Sequence, residues 1–422
     1  MSRQFTSLCP AKVIYGLFLV AIITLSSDSA FAQSDWPQWG GPDRNFKTAA
    51  TGISDNWPAN GPRCLWNREL GEGFSAIAVE DGKLYTMYRK GEQEVVISMD
   101  AATGKTLWEY NYDAPFPPEY DMSHGPGPHA TPTVIGEHIY TAGATSKFNC
   151  LNKRSGKLVW SHDLIKEFNG TVRVNGYSCS PLAHKNLVYM MVGGAGNALI
   201  AFNQKDGSVV WKKHDFKNST SSPMIINVDG QDQLVAFMFG EIVGVDPDSG
   251  NLLWSHPHPV DFGLNTSMPI WGEDNLLFIS SGYNGGSRVI RLSRKEGKTV
   301  VEEIWAHRLM RVHFGNCMRV GDYIYGSSGD FGPAPFTAID VKTGQVLWRD
   351  RTISRASFLM VGDRFILLDE DGNLAIATAT REGLKVHSKV GLLKRQSWTV
   401  PTVAGTRLYV RDRKSILAVD LK

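Results

Sequence analysis

Cysteine is scarce in this sequence: five residues in 422, no two of them adjacent. A chain of this length does not depend on disulfide staples, and no Cys or carboxylate falls at a recurrent zinc-ligand spacing. Charge is sparse too, at 20% Asp, Glu, Lys and Arg, and the formal net charge of +2 is scattered along the chain. That balance gives no electrostatic reason to expect nucleic acid or an anionic membrane as partner. Convincing helical periodicity is missing from every window, so an all-β fold is expected. The apolar run from Val13 to Leu25 is short for a membrane span.

That run has the marks of an export signal. Arg3 and Lys12 precede it, and Ala30, Phe31 and Ala32 form a small-residue cleavage site before Gln33. Residues 1–32 are therefore expected to be a signal peptide cleaved after Ala32, leaving a periplasmic or secreted protein with no transmembrane segment. Cys9 lies before the apolar run, where it cannot serve as a lipoprotein anchor. Cys64, Cys150, Cys179 and Cys317 remain after cleavage, and most are expected to be small buried hydrophobes.

What the chain has in abundance is glycine, 42 residues of it, set in a repeat of roughly 40 to 55 residues. The clearest element is Asp or Asn, then Gly four residues on, then Trp four further. It occurs as Asp100, Gly104 and Trp108; Asn152, Gly156 and Trp160; Asn203, Gly207 and Trp211; Asp246, Gly250 and Trp254; and Asp340, Gly344 and Trp348. The Asp or Asn side chain caps a hairpin turn, Gly supplies positive φ, and Trp opens an outer strand as a wedge between units. Trp305 follows an insertion in the fifth unit, and the seventh, around Gly383, has no Trp.

A second element, an apolar strand, tight turn and strand ending in a large residue, brings the count of units to eight. Each reads as four short strands, A to D. The eighth runs out of chain at Lys422 after its third strand, and Trp66 to Leu70 can supply the fourth. The expected fold is an eight-bladed β-propeller of four antiparallel strands per blade, closed by that N-terminal strand. Residues 62–422 would form it and residues 33–61 would pack on it as an extension. A monomer is expected.

Repeats of this form resemble the quinoprotein-type propeller, shared by quinone-dependent alcohol dehydrogenases and a periplasmic scaffold lipoprotein of outer-membrane assembly. Trp36 to Pro42, Gly127 to Pro132, Tyr177 to Pro181 and Gly193 to Asn197 also resemble segments of exported propellers from planctomycete-like bacteria. In that pattern Arg often stands where this chain has Gly40 and His129. The enzyme branch of the resemblance implies pyrroloquinoline quinone held beneath calcium, with adjacent Cys stacked on the ring. That Cys pair is absent here, as are the long insertions that build those active sites. No cofactor is therefore expected, with pyrroloquinoline quinone plus calcium the alternative, and catalysis is not established.

In a propeller the D–A and B–C loops converge on one channel mouth. Through them His124, His129, Tyr177, Ser178, Asn197, Asn265, Asn284, His313, Asn316, Arg355 and Trp398 become candidate ligand-binding residues. No nucleophile, base and orienter group themselves, and no metal set is expected. The proline-rich Tyr112 to His129 connection is the expected recognition loop, carrying two imidazoles toward the axis opposite His313. The function expected is an exported binding or assembly module for an unidentified protein or small molecule, the alternative being a quinone- or metal-dependent oxidoreductase.

Overall fold

A computed structural model describes residues 35–330 and 332–422; the expected signal peptide lies outside them. The described strands sort into eight sheets, seven of four strands and one of five. Within each blade neighbouring strands are antiparallel and follow chain order from the axis outward. Blade 1, for example, comprises Ala78–Glu80, Lys83–Lys90, Gln93–Asp100 and Thr106–Asp113. Blade 8 is assembled from both ends of the sequence. Its strands Thr402–Ala404, Arg407–Arg411 and Ser415–Asp420 are completed by Arg63–Glu69, with Trp66 opposite Ala418 and Glu69 opposite Ser415. An open ring would leave an unpaired ladder; this pairing removes it.

The repeat is legible as a clasp between blades. The Trp66 indole donates to Ala101 O at 3.1 Å, Trp108 to Lys153 O at 3.1 Å, Trp160 to Gln204 O at 3.2 Å and Trp211 to Pro247 O at 2.9 Å. Each acceptor belongs to the C–D turn of the next blade. The turn glycine lies flat on the same ring: a Cβ on Gly104, Gly156, Gly207 or Gly250 would sit 2.5 to 2.7 Å from it. Those glycines also hold φ between 68° and 74°, so two separate constraints demand glycine there. Trp66 clasps blade 1 in the manner of the others, which makes the closure one more copy of the repeat. Trp305, displaced in sequence, makes the same clasp to Val341 O at 2.8 Å. Trp254 is different, donating to Gln233 Oε1 of its own blade at 2.7 Å. The long hairpin Gly286–Lys295 and Lys298–His307 has moved its turn glycine, Gly297, out of contact.

Trp160 and Trp211 are buried, so Trp160→Ala or Trp211→Ala is expected to cost on the order of 3 to 5 kcal/mol. Equilibrium denaturation measures this; a loss below about 1 kcal/mol would place the ring on the surface.

Besides a 3-10 turn at Asp261–Gly263, two features depart from the expected set of blades. Leu164–Phe168 forms one helical turn after blade 2, capped by Asp163 accepting from Lys166 N and ended by Asn169 at φ 52°. The fifth strand of the blade 7 sheet is Lys47–Thr48, paired parallel to Met360 and Val361. It ends a segment that begins where Trp36 exchanges amide bonds with Val79 and Pro37 O accepts from Val134 N. This segment crosses the channel from blades 1 and 2 to blade 7, on the face opposite the D–A loops. Arg44 is buried within it, bonded to Gln38 Oε1 at 3.2 Å. Burial pulls Arg44 down to about 10 and pushes Cys179 up to about 11. The four cysteines among the described residues are free thiols, Cys64 exposed and the other three buried.

Candidate functional site at the channel mouth

On the D–A side the channel opens into a well of about 440 Å³. Its two halves differ in chemistry. One wall is a column of rings from five loops. Phe74 stacks on His129 at 5.5 Å and on Trp398 at 5.2 Å, and Trp398 stacks on Phe314 at 4.6 Å. His313 then packs on Phe314 at 3.9 Å and Tyr283 on His313 at 4.4 Å. Opposite stand the hydroxyls of Ser178, Ser180, Thr220, Ser222 and Thr266, and Trp39 of the crossing segment joins the lining.

The hydroxyl wall arises from the strand starts that follow the D–A loops. Ser180 Oγ accepts from Thr131 N at 2.9 Å and Ser222 Oγ from Ser180 N at 3.0 Å. Neighbouring blades are thereby stitched together at the axis. Each of these oxygens is used as an acceptor, and neither hydroxyl proton reaches an acceptor among the described residues.

Of the eleven candidates, five meet in this well: His124, His129, Ser178, His313 and Trp398. Arg355 lines an adjoining groove of about 680 Å³, with its guanidinium 5.7 Å from the Phe314 ring centre and 3.3 Å from Glu370. Asn284 is exposed on the rim, donating to Asp261 at 2.5 Å. The other four are structural. Tyr177 is buried with its hydroxyl on Val192 O, Asn197 braces Phe168 O, and Asn316 bridges to both backbone groups of Phe358. Asn265 is fully buried and donates to Met238 O at 2.7 Å. Strand ends need such partners as much as ligands do. Phe74, Phe314 and Trp39 were not among the candidates, because an apolar ring in a loop carries no sequence sign of facing a cavity.

Burial holds two imidazoles neutral. His129 and His313 are both pushed down to about 4, His313 also by the nearby charge of Arg355. His313 is only 4% exposed and its Nδ1 has no partner among the described residues. It is part of the core of the mouth rather than a freely substitutable loop side chain.

A serine and histidine approach each other beneath the rim, with Ser281 Oγ 3.1 Å from His258 Nε2. The polarity is opposite to that of a nucleophile and base. Arg288 Nε donates to His258 Nδ1 at 2.9 Å, so the imidazole proton resides on Nε2 and points to Ser281. Ser281 in turn donates to Asn265 Oδ1 at 2.5 Å. A general base needs a free lone pair facing the hydroxyl, and Arg288 takes the place where an orienting carboxylate would stand. Burial first, then Arg288, pushes His258 down to about 3.

These depressed imidazoles couple stability to pH. His258 and His313 are neutral when folded and bind protons more readily when unfolded, so their contribution is present above about pH 6.5 and lost as pH falls toward 4. The loss by pH 4.5 is on the order of 2 kcal/mol for each. Thermal melts at pH 7 and 4.5 are expected to differ less in His313→Gln than in the parent; an equal drop in both would contradict this.

The quinone–calcium pair can be tested against the donors. Its three carboxylates would face one lining cation, Arg173, and one lining carboxylate, Asp121. Calcium takes several converging oxygens, and no group of three His, Cys, Asp or Glu side chains converges among the described residues. The residues present do not fit that pair.

An eight-bladed ring clasped by Trp on Gly, with a well at one mouth, defines a propeller of the quinoprotein-type repeat class. The chain belongs to the family described as outer membrane protein assembly factor BamB, whose profile matches residues 92–350. It is similar to the outer membrane protein assembly factor BamB of Yersinia pestis, 23% identical over 308 residues that cover 68% of this chain and 73% of that one. It is also similar to the quinoprotein alcohol dehydrogenase PedH of Pseudomonas putida, 28% identical over 187 residues covering 42% of this chain and 29% of the enzyme. Among solved structures, the quinohemoprotein alcohol dehydrogenase of Comamonas testosteroni aligns with a TM-score of 0.67 at 12% identity, covering 93% of this chain and 81% of that one. That last likeness is one of fold.

Proposed function

We propose that this chain is an exported binding module of the assembly-factor kind, delivered by the segment 1–32 and working without a quinone, with its ligand or protein partner engaged at the channel mouth. The observation that carries this reading is the mouth itself. At the edge of the well its lining includes exposed Phe262, at 63%, and Val174, at 49%, and Met122 and Phe239 are exposed beside them. They form one neighbourhood: Asp121 N donates to Val174 O, Arg173 lies 5.5 Å over the Phe239 ring, and Gly263 packs against that ring. Large apolar side chains gathered on rigidly supported loops, next to a concavity, are what a docking face requires. The kinship with assembly factors agrees with such a role, and no described helix is long and apolar enough to cross a membrane.

A photo-cross-linking residue at position 262, in the full chain in its own cells, is expected to yield a discrete adduct that the same residue at position 252, on an outer strand, does not. Adducts from 252 alone, or from neither, would contradict the placement. Adding pyrroloquinoline quinone and calcium is expected to leave Tm unchanged; a rise that grows with quinone concentration would restore the enzymatic alternative.

A further inference from the structure

The well described above is sharper in its chemistry than a generic docking pocket. Its wall of rings faces a wall of hydroxyls across about 440 Å³, within the range of roughly 300 to 1,000 Å³ typical of small-molecule sites. Formal charge nearly vanishes there: Arg173 and Asp121 offset one another. Dicarboxylates, phosphates and cationic amines therefore find no net field to hold them. A purely apolar ligand would bury the hydroxyl protons of Ser180 and Ser222 without acceptors, which costs free energy for each. The occupant that matches both walls has apolar C–H faces and a perimeter of groups that donate and accept hydrogen bonds.

We infer that the well takes a neutral saccharide unit, its C–H face against the Phe74, Trp398 and Phe314 column and its hydroxyl edge toward Ser178, Ser180 and Ser222. This deepens the proposed function and rests on the mouth being the working face. A pyranose supplies both surfaces in one rigid ring, so little conformational entropy is lost on binding. Its hydroxyl oxygens accept from Ser180 and Ser222, whose own lone pairs already receive backbone amides. Ser178 makes no hydrogen bond among the described residues and lines the same wall, so it is free to donate or accept. The His313 Nδ1 atom, buried without a partner, adds a neutral polar edge on the ring side. A chain of sugars would leave the well along the adjoining groove, which shares His124, Phe314 and Trp398 with it.

Titration of the full mature chain with maltotriose, cellotriose, chitotriose and mannotriose tests this, read by tryptophan fluorescence, because Trp398 and Trp39 line the well, and by saturation-transfer NMR. At least one trisaccharide is expected to bind saturably below about 10 mM. Trp398→Ala and, separately, Ser178→Ala should each weaken that binding roughly fivefold or more. The serine variant guards against a fold defect, since Ser178 makes no hydrogen bond among the described residues and its removal is expected to leave Tm unchanged. If none of the four sugars binds, or if binding survives both variants, the saccharide assignment is wrong. Should the position 262 adduct form while no sugar binds, the mouth remains the docking face and only its ligand class fails. Should sugars bind with no adduct at 262, the docking of a protein there fails and the saccharide site stands.

Discussion

A chain that begins at Gly71 is expected to lose cooperative unfolding and to aggregate, whereas one that begins at Pro62 is expected to fold. The two differ by the strand Arg63–Glu69, which completes blade 8 from the opposite end of the sequence. Without it the strand Ser415–Asp420 presents an unpaired ladder, and the Trp66 clasp on Ala101 and Gly104 disappears with it. Exposed ladders recruit other chains. The shorter truncation also removes the Trp36–Thr48 crossing segment, so the comparison separates ring closure from channel sealing. Size-exclusion chromatography with thermal melts measures both. A monomeric Gly71 chain with a single sharp transition would show that closure is dispensable.

Arg411→Ala is expected to cost roughly 3 to 5 kcal/mol or more, as removal of one member of a buried charged network does. Arg411 ends the second strand of blade 8 and is completely buried. Its Nη1 donates to Ser75 O at 3.0 Å, Met87 O at 2.9 Å and Thr86 Oγ1 at 3.2 Å, and its Nη2 to Gly73 O at 2.9 Å. These acceptors belong to blade 1 and to the connection that leads into it from blade 8. Burial pulls the guanidinium down to about 10, against the opposing pull of the Asp412 carboxylate, still well above neutrality, so the charge is kept while its hydrogen bonds go to neutral oxygens. Deleting it strands those acceptors and loosens the base of Phe74, so both stability and the mouth are expected to suffer. Arg411→Lys should not restore them, because a single ammonium cannot fork across two sets of carbonyls. Urea denaturation reads the loss; a change below about 1 kcal/mol would show the network to be ornamental to closure.

The contrast between these two residues shows what the sequence makes visible. The Trp66 clasp belongs to a pattern repeated down the chain: the count of units leaves the eighth without its fourth strand, and the stretch from Trp66 is the one available to supply it. Arg411 has no such pattern. Its partners Ser75 and Gly73 are more than 300 positions away, and an Arg near a strand end looks like any solvated cation. The crossing segment is hidden for the same reason, since Lys47 meets Met360 and no period announces it.

At the mouth, loop membership could be read but facing could not. Asn265 and Asn316 share composition and loop position with Ser178, yet the first two spend their amides on backbone groups while Ser178 faces the well. Which of those outcomes holds depends on how each loop reaches its strand, a matter of a few backbone torsions. The histidines were legible as a convergence, and His124, His129 and His313 do line one cavity. The near-complete burial of His313 was not, because it depends on Tyr283 arriving from a different connection.

The central claim is that binding occurs at the D–A mouth of a rigid propeller. Hydrogen exchange of the chain, alone and in the complex isolated from its own cell envelope, tests it most directly. The account predicts slowed exchange confined to residues 120–129, 173–178, 262–266, 313–316 and 396–399, with the blades unchanged. Protection confined to the outer strands, or to the Trp36–Thr48 face across the channel, would contradict it.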